Sequence, residues 1–347
     1  MFCCLFKKVT VHNTAKLSRI ACNSESNYLG IGGSEGFVKI VQIELTKKAG
    51  EGNVSPLAFT QNLICHKKKI LVLCWNDVHD KFTTSDEEGV IIVWKFSERS
   101  QWETVMINNR EVSFVTDLKW SKQGNYLCFI YEDGHAIVGT VDGSRCWGND
   151  IRDKLYKLEW SPDESHLLFA CENSNIIVFS ASGYQIGEME IEPMLRSIKI
   201  ANISWWTNRM SEGRSSTLDK HLLVAFTNGI IHLYNDYSDT KPIKVVTEFS
   251  NIICAEWNPC GDMIATAGFV LEAGDRKDSV HFYNSDGILI KVLKIPNCVV
   301  TSFCWDSIGT KVAITTESII LFALIKQKYK WTYFCNTLVY SFMQEAE

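Results

Sequence analysis

Six tryptophans recur along this chain at a near-constant interval, each closing a short apolar run and opening a polar turn. Trp75-Asn76, Trp120-Ser121, Trp160-Ser161, Trp206-Thr207, Trp257-Asn258 and Trp305-Asp306 stand 45, 40, 46, 51 and 48 residues apart. Upstream, Cys22-Asn23 takes the same place 53 residues before the first of them. A second landmark lies further along most units, where Glu35-Gly36, Glu88-Gly89, Asp133-Gly134, Asn173-Ser174 and Asn228-Gly229 each precede a strand-like stretch (37–41, 90–94, 135–139, 175–179 and 230–234). An acidic residue or Asn followed by Gly between two β-rich runs signals a tight hairpin turn. Helical periodicity of any length is absent.

Units of 40–53 residues with three or four short strands and an aromatic at fixed offset match the blades of a WD40 β-propeller, so the expected class is all-β with seven blades. One four-stranded blade cannot bury both of its faces. Radial stacking of neighbours makes the core, and closing the ring protects the sheet edges. The run 4–11 precedes the first unit and is expected to complete the last blade as its outer strand. Three polar stretches break the period, Thr46 to Asn62, Thr207 to Asp219 and Val270 to Asp278, and read as rim loops where partners bind.

Composition narrows the functional classes. Over 347 residues, 35 Lys and Arg against 40 Asp and Glu leave a formal net charge of −5. That balance argues against a general electrostatic grip on nucleic acid, which needs a clustered positive surface. Hydrophobic residues at 46% and charged residues at 22% fit a large folded core. The 13 cysteines contain no CxxC pair, which leaves a zinc site or redox dithiol without a local signature. Met1 to Phe6 is too short for the apolar core of a secretory signal, and no stretch approaches 18 apolar residues. The thiols therefore read as reduced and cytosolic.

Candidate chemistry is sparse. Gly32-Gly33-Ser34-Glu35-Gly36 satisfies G-x-S-x-G, but a nucleophile elbow needs a helix after it and a strand-like stretch follows instead. Gly30-Ile31-Gly32 fails as a dinucleotide loop for the same reason. No enzyme activity, cofactor or metal is expected. The exception among the histidines is His66. His66, Thr84, Glu88 and Trp94 occupy the positions that in a WD40 blade form a structural His–Ser/Thr–Asp–Trp hydrogen-bond network, with Glu88 in place of Asp. Trp75, Trp120, Trp160, Trp257 and Trp305 are expected at one equivalent buried strand position. Lys67-Lys68-Lys69 and Lys47-Lys48 read as solvated turns. The sharper alternative is a weak contact with an acidic partner or an anionic membrane surface. Cys3-Cys4 reads as part of the closing strand rather than a lipidation site.

Several stretches go beyond the WD40 pattern: NLICHKKKILVLCWN (62–76), TTSDEEGVIIVW (83–94), VMINNR (105–110), YEDGHAIVGTVDGSRCWGND (131–150) and YKWTYFCNTLVYSF (329–342). In this order they resemble the N-terminal propeller of a WD-repeat subunit of intraflagellar transport complex A (IFT-A). The resemblance implies a non-enzymatic scaffold for retrograde ciliary transport, import of membrane cargo and cilium assembly. It also implies other IFT-A subunits and ciliary membrane-protein cargo as partners, and a place in the cytoplasm and cytoskeleton, at the cilium, axoneme and basal body. Family members carry two propellers and a helical-repeat tail. On that pattern residues 1–335 form the seven-bladed propeller, and 336–347 are a C-terminal extension beginning a truncated second one. Two alternatives are a tubby-like protein sharing this propeller and a WD40 substrate receptor of a ubiquitin ligase. Receptors of that kind often end a blade in Trp-Asp-x-Arg, where this chain has Trp94-Lys95-Phe96-Ser97.

Overall fold

Each Trp-terminated run becomes the innermost strand of a four-stranded antiparallel sheet in the computed structural model. The structure describes residues 2–11, 15–23, 25–26, 28–43, 57–206, 221–326, 329–334 and 337–342. Strand β1 (Phe2–Thr10) opens the chain. Blade 1 is β2 (Leu17–Cys22), β3 (Tyr28–Gly33), β4 (Val38–Ile43) and β5 (Leu57–Leu63). Blade 2 is β6 (Ile70–Asn76), β7 (Lys81–Asp86), β8 (Val90–Phe96) and β9 (Trp102–Asn109). Blade 3 is β10 (Val115–Trp120), β11 (Tyr126–Tyr131), β12 (His135–Thr140) and β13 (Arg145–Asp150). Blade 4 is β14 (Leu155–Trp160), β15 (His166–Cys171), β16 (Ile176–Ser180) and β17 (Gln185–Met189). Blade 5 is β18 (Ile200–Trp205), β19 (Leu222–Phe226), β20 (Ile230–Tyr234) and β21 (Ile243–Val246). Blade 6 is β22 (Asn251–Trp257), β23 (Met263–Glu272), β24 (Asp275–Asn284) and β25 (Leu289–Ile295). Blade 7 is β26 (Val300–Trp305), β27 (Lys311–Thr316) and β28 (Ile319–Lys326), completed by β1. The protein is a seven-bladed β-propeller.

Closure comes from the two ends of the ring meeting in one sheet. β1 runs antiparallel to β28, from Phe2 opposite Lys326 to Thr10 opposite Ile319. Beyond the blades, β29 (Tyr329–Phe334) and β30 (Thr337–Phe342) form a separate two-stranded sheet, and the boundary expected at 335–336 lies outside the described residues.

The blades share one construction device. All seven inner strands carry a register shift after their first residue or two, at Leu17/Arg19, Ile70/Val72, Val115/Asp117, Leu155/Lys157, Ile200/Asn202, Ile252/Cys254 and Val300/Ser302. A bulge bends its strand and sharpens the local twist, and its repetition turns each inner strand alongside the axis. Side chains just past the bulge then tie neighbouring blades where no backbone ladder does. Arg19 Nε donates to the Leu71 carbonyl at 2.7 Å, and Asn202 Nδ2 to that of Ala255 at 2.7 Å. Asp117 accepts from the Leu158 N–H at 3.2 Å. The core lies between blades rather than within one. Val38 and Ile40 of blade 1 pack with Ile70, Trp75, Phe82 and Ile92 of blade 2, for example.

Trp75, Trp120, Trp160, Trp257 and Trp305 sit at one register position, opposite Phe82, Leu127, Leu167, Ile264 and Val312, and all are buried. Cys22 takes that position opposite Leu29. In blade 5 the position belongs to Trp205, opposite Leu222, not to Trp206. Trp206 is the first turn residue, its N–H bonded to the His221 carbonyl as the Ser121 N–H is to that of Tyr126. Two adjacent tryptophans made the landmark ambiguous by one residue. Two expected rim loops also contain strand. Residues 57–62 belong to β5, and 270–278 extend a hairpin whose pairing runs out to Glu272 opposite Asp275. Thr207 to Asp219 and Lys47-Lys48 lie outside the described residues.

Candidate functional site

The segment 64–69 carries the chain from blade 1 into blade 2 and places His66 over the turn between β7 and β8. There His66 Nδ1 lies 2.7 Å from Asp86 Oδ2, and Nε2 lies 2.7 Å from Thr84 Oγ1. Trp94 Nε1 donates to the same hydroxyl at 3.0 Å. A carboxylate only accepts, so His66 donates through Nδ1. The Thr84 hydroxyl, already accepting from Trp94, donates to Nε2. The other Asp86 oxygen accepts from the Glu88 and Val90 N–H groups at 3.0 and 3.1 Å, which pins the turn itself. All four side chains are buried.

The acid of this network is therefore Asp86, not Glu88. Thr84 and Asp86 are two apart on one strand and face the same side, whereas Glu88 lies past the strand end, exposed, with its carboxylate 3.8 Å from Lys68. Lys69 pairs similarly with Glu87 at 4.0 Å, and Lys67 is exposed. The basic run thus sits in the solvated face of the turn, two of its three ammonium groups beside carboxylates. Surface pairs of this kind contribute less than about 1 kcal/mol each.

The Gly-x-Ser-x-Gly segment is the equivalent turn of blade 1. Ser34 Oγ accepts from the Lys16 N–H at 3.0 Å and strand β4 follows. Gly36 has φ +70°, and a Cβ there would stand 2.0 Å from the His66 carbonyl oxygen, so the turn packs directly under the network. In blade 4, Ser174 takes the glycine place at φ 64° and turns its hydroxyl onto the Ile198 carbonyl. The twelve cysteines among the described residues are free thiols. Cys3 and Cys4 are half-buried on β1, and burial pushes the Cys3 thiol up to about 11. Among the described residues no group of three or more His, Cys, Asp or Glu is placed to hold a metal ion.

The feature that local sequence does not reveal is the axial channel. Alternate residues of the inner strands line it and bring together Arg19, Asp117, Lys119, Lys157, Glu159 and Glu256 from four different blades. Lys119 is ion-paired with Glu159, and Lys157 Nζ stands 3.8 Å from Asp117. Burial works against the charge on Lys119, but Glu159 and Asp117 outweigh it and hold the ammonium above its usual range. Burial pushes the Glu256 carboxyl up to about 7 against the opposing pull of Lys119. Two cavities, of about 390 and 240 Å³, occupy the channel and share Glu256 in their walls.

A family model described as WDR35/TULP4 N-terminal matches residues 1–326, ending where β28 ends. WD repeat-containing protein 35 of Homo sapiens is 35% identical over 352 residues, covering 99% of this chain and 30% of the relative; the Mus musculus protein matches equally. Tubby-related protein 4 of Mus musculus is 26% identical over 317 residues, covering 81% of this chain and 20% of the relative. The chain thus spans about a third or less of the length of these relatives. The family model's match along all seven blades, with 35% identity across 99% of the chain, makes this chain a member of the WDR35/TULP4 N-terminal propeller family.

Proposed function

We propose that the chain is a non-enzymatic scaffold propeller of the intraflagellar transport A particle, serving retrograde ciliary transport, import of membrane cargo and cilium assembly. Its partners are other IFT-A subunits and ciliary membrane-protein cargo, and its place is the cytoplasm and cytoskeleton, the cilium, axoneme and basal body. The observation that carries this reading is the 35% identity to WD repeat-containing protein 35 across 99% of the chain, against 26% across 81% for the tubby-related protein. The architecture fits the role. A ring whose blades are tied strand to strand is a rigid frame, and rigid frames present loops to partners with little ordering cost. Affinity capture of the tagged chain from ciliated cells, read by mass spectrometry, tests it. Enrichment of IFT-A subunits over cells expressing an unrelated propeller is expected. Recovery of a cullin adaptor in their place would assign the chain to the ubiquitin-ligase receptors.

A further inference from the structure

The smaller cavity lies at the end of the channel where the inner strands begin, and the shared bulge sets its charge out in levels. The residue just before the inner strand is Lys16, Lys69, Lys154 and Lys199 in four of the seven blades and uncharged in the other three. Just past the bulge come Arg19, Asp117 and Lys157, with uncharged residues in the remaining blades. Two residues deeper stand Lys119, Glu159 and Glu256. The entrance lysines are themselves occupied, by Glu317, Glu87 and Glu132 on the turns and by the Tyr156 ring under Lys199. The second level sets two cations against the single carboxylate of Asp117. Going inward through these levels, the first carboxylate with no ion pair among the described residues is Glu256.

Arg19 and Lys157 both keep donors idle. Arg19 uses Nε on the Leu71 carbonyl at 2.7 Å and Nη1 on that of Ser18 at 3.1 Å. Its Nη2 makes no hydrogen bond, and its guanidinium no ion pair, among the described residues. Lys157 Nζ makes no hydrogen bond either. Its one ion pair, to Asp117 at 3.8 Å, is too long for one, because the Leu118 and Leu158 N–H groups anchor that carboxylate at 3.1 and 3.2 Å. Burial holds the Lys157 ammonium below its usual range, with Arg19 adding to the effect and Asp117 opposing it. Two half-buried cations with unused N–H groups, facing one cavity, favour an anion. One nitrogen from each side matches the two oxygens of a carboxylate, whereas a phosphate dianion would bring a second charge towards Glu256. The cavity, about 240 Å³, has Leu71, Ala201 and Ile253 in its wall, which suits the methylenes of a short acidic chain.

We propose that this end of the axial channel receives one carboxylate group, which accepts from Arg19 Nη2 and Lys157 Nζ and is stopped by Glu256 below. The site stands on the geometry of this chain and does not depend on the transport reading. Glu256 also makes it sensitive to pH. The groups facing that carboxyl are Lys119 and Asp117 on β10, Lys157 and Glu159 on β14, Cys254 on its own strand and Cys304 on β26. Burial pushes the Cys254 thiol up to about 12 and the Cys304 thiol well above its usual value, so neither ionises near neutrality. Glu256, pushed up to about 7 by burial, is then the acid that changes charge between pH 6 and 8. A bound carboxylate is repelled by its ionised form and not by the neutral one, so affinity rises as pH falls through that range. Any loss of the Lys157 proton at higher pH acts in the same direction.

The test titrates the whole chain with acetyl-Gly-Gly-Glu-Gly-Gly-amide, its Gln counterpart, sodium propionate and inorganic phosphate, following the Arg19 Nε–H resonance by NMR. The Glu peptide and propionate should shift it saturably at pH 6, with dissociation constants in the low-millimolar range or tighter. The Gln peptide should not. Lys157→Gln should weaken binding about tenfold, and Glu256→Gln should tighten it about fivefold or more at pH 8. On the unaltered protein, binding should be about five- to tenfold tighter at pH 6 than at pH 8, which keeps the test decisive should either variant fold poorly. A Glu peptide tighter than propionate assigns the carboxylate to an acidic side chain of a partner. Equal affinities assign it to a free small acid, and the site stands in both cases. Absence of shifts up to about 20 mM ligand, equal binding of the Gln peptide, an affinity unmoved by Lys157→Gln, or one that does not rise from pH 8 to pH 6 would overturn the proposal. Phosphate binding more tightly than propionate at pH 8 would overturn the choice of a carboxylate.

Discussion

Removing residues 1–11 should abolish the soluble monomer. Without β1 the edge of β28 loses its ladder from Ile319 to Lys326 and uncovers Ile319, Leu321 and Ile325, which are buried in the finished blade. Each lost backbone bond is worth about 1 kcal/mol net, and the apolar burial about 25 cal/mol per Å². Summed over a strand of this length, the loss is of the same order as the whole net stability of a domain, about 5–15 kcal/mol. A long, apolar, unpaired edge is also a template for association. The expected outcome is aggregated or unfolded protein by size-exclusion chromatography and circular dichroism. Topology offers a control. Because Phe2 lies opposite Lys326, a short turn can join the two, and a permuted chain starting at Lys16 and carrying residues 1–11 after Lys326 should recover the monomer. A truncated protein that stays monomeric and melts within a few degrees of the intact chain would show that the ring holds without its closing strand.

The second large effect belongs to Asp86. Asp86→Ala strips the partner from His66 Nδ1 and from two turn N–H groups, all inside a network with about 1% of the Asp86 side chain exposed. Leaving the buried His66 Nδ1–H and two turn N–H groups without an acceptor costs about 1–3 kcal/mol for each fully buried group, a loss of about 3–5 kcal/mol in all that lowers the melting midpoint of a chain this size by about 4–7 °C. Glu88→Ala, two residues on, should change stability by no more than about 0.5 kcal/mol, since it gives up only an exposed pair with Lys68. Thermal melts of the two variants side by side decide the matter. An equal or larger loss for Glu88→Ala would move the acid of the network back to the turn.

That pair of residues also shows where reading the sequence reaches its limit. Tryptophan spacing specifies blade number because one bulky residue per unit must fill the same space between neighbouring inner strands. The run 4–11 is legible as a closing strand because it stands outside the first complete unit. His66, Thr84 and Trp94 are recognisable by type and order. The acid is not, because Asp86, Glu87 and Glu88 are consecutive and only the end of β7 at Asp86 decides which of them shares the face of Thr84. The same one-residue ambiguity separates Trp205 from Trp206. Polarity misled at 57–62 and 270–278, where an outer strand and a projecting hairpin have the composition of loops. The channel was invisible for a different reason. Arg19, Asp117, Lys157 and Glu256 look like ordinary strand residues, and the bulge in every inner strand sets which of them faces the axis.

The proposed function, a scaffold propeller of the intraflagellar transport A particle, is tested most directly in cells lacking WD repeat-containing protein 35. Two proteins are compared there: these 347 residues alone, and a chimera in which they replace the matching 30% of the human relative. Avidity through several sites exceeds a single interface by about 10²–10⁴-fold and is lost when the other sites are absent. The chimera should restore cilium length and clear retrograde accumulation, and the isolated chain should do neither. A stably expressed chimera that restores nothing, or full restoration by the isolated chain, would contradict the account.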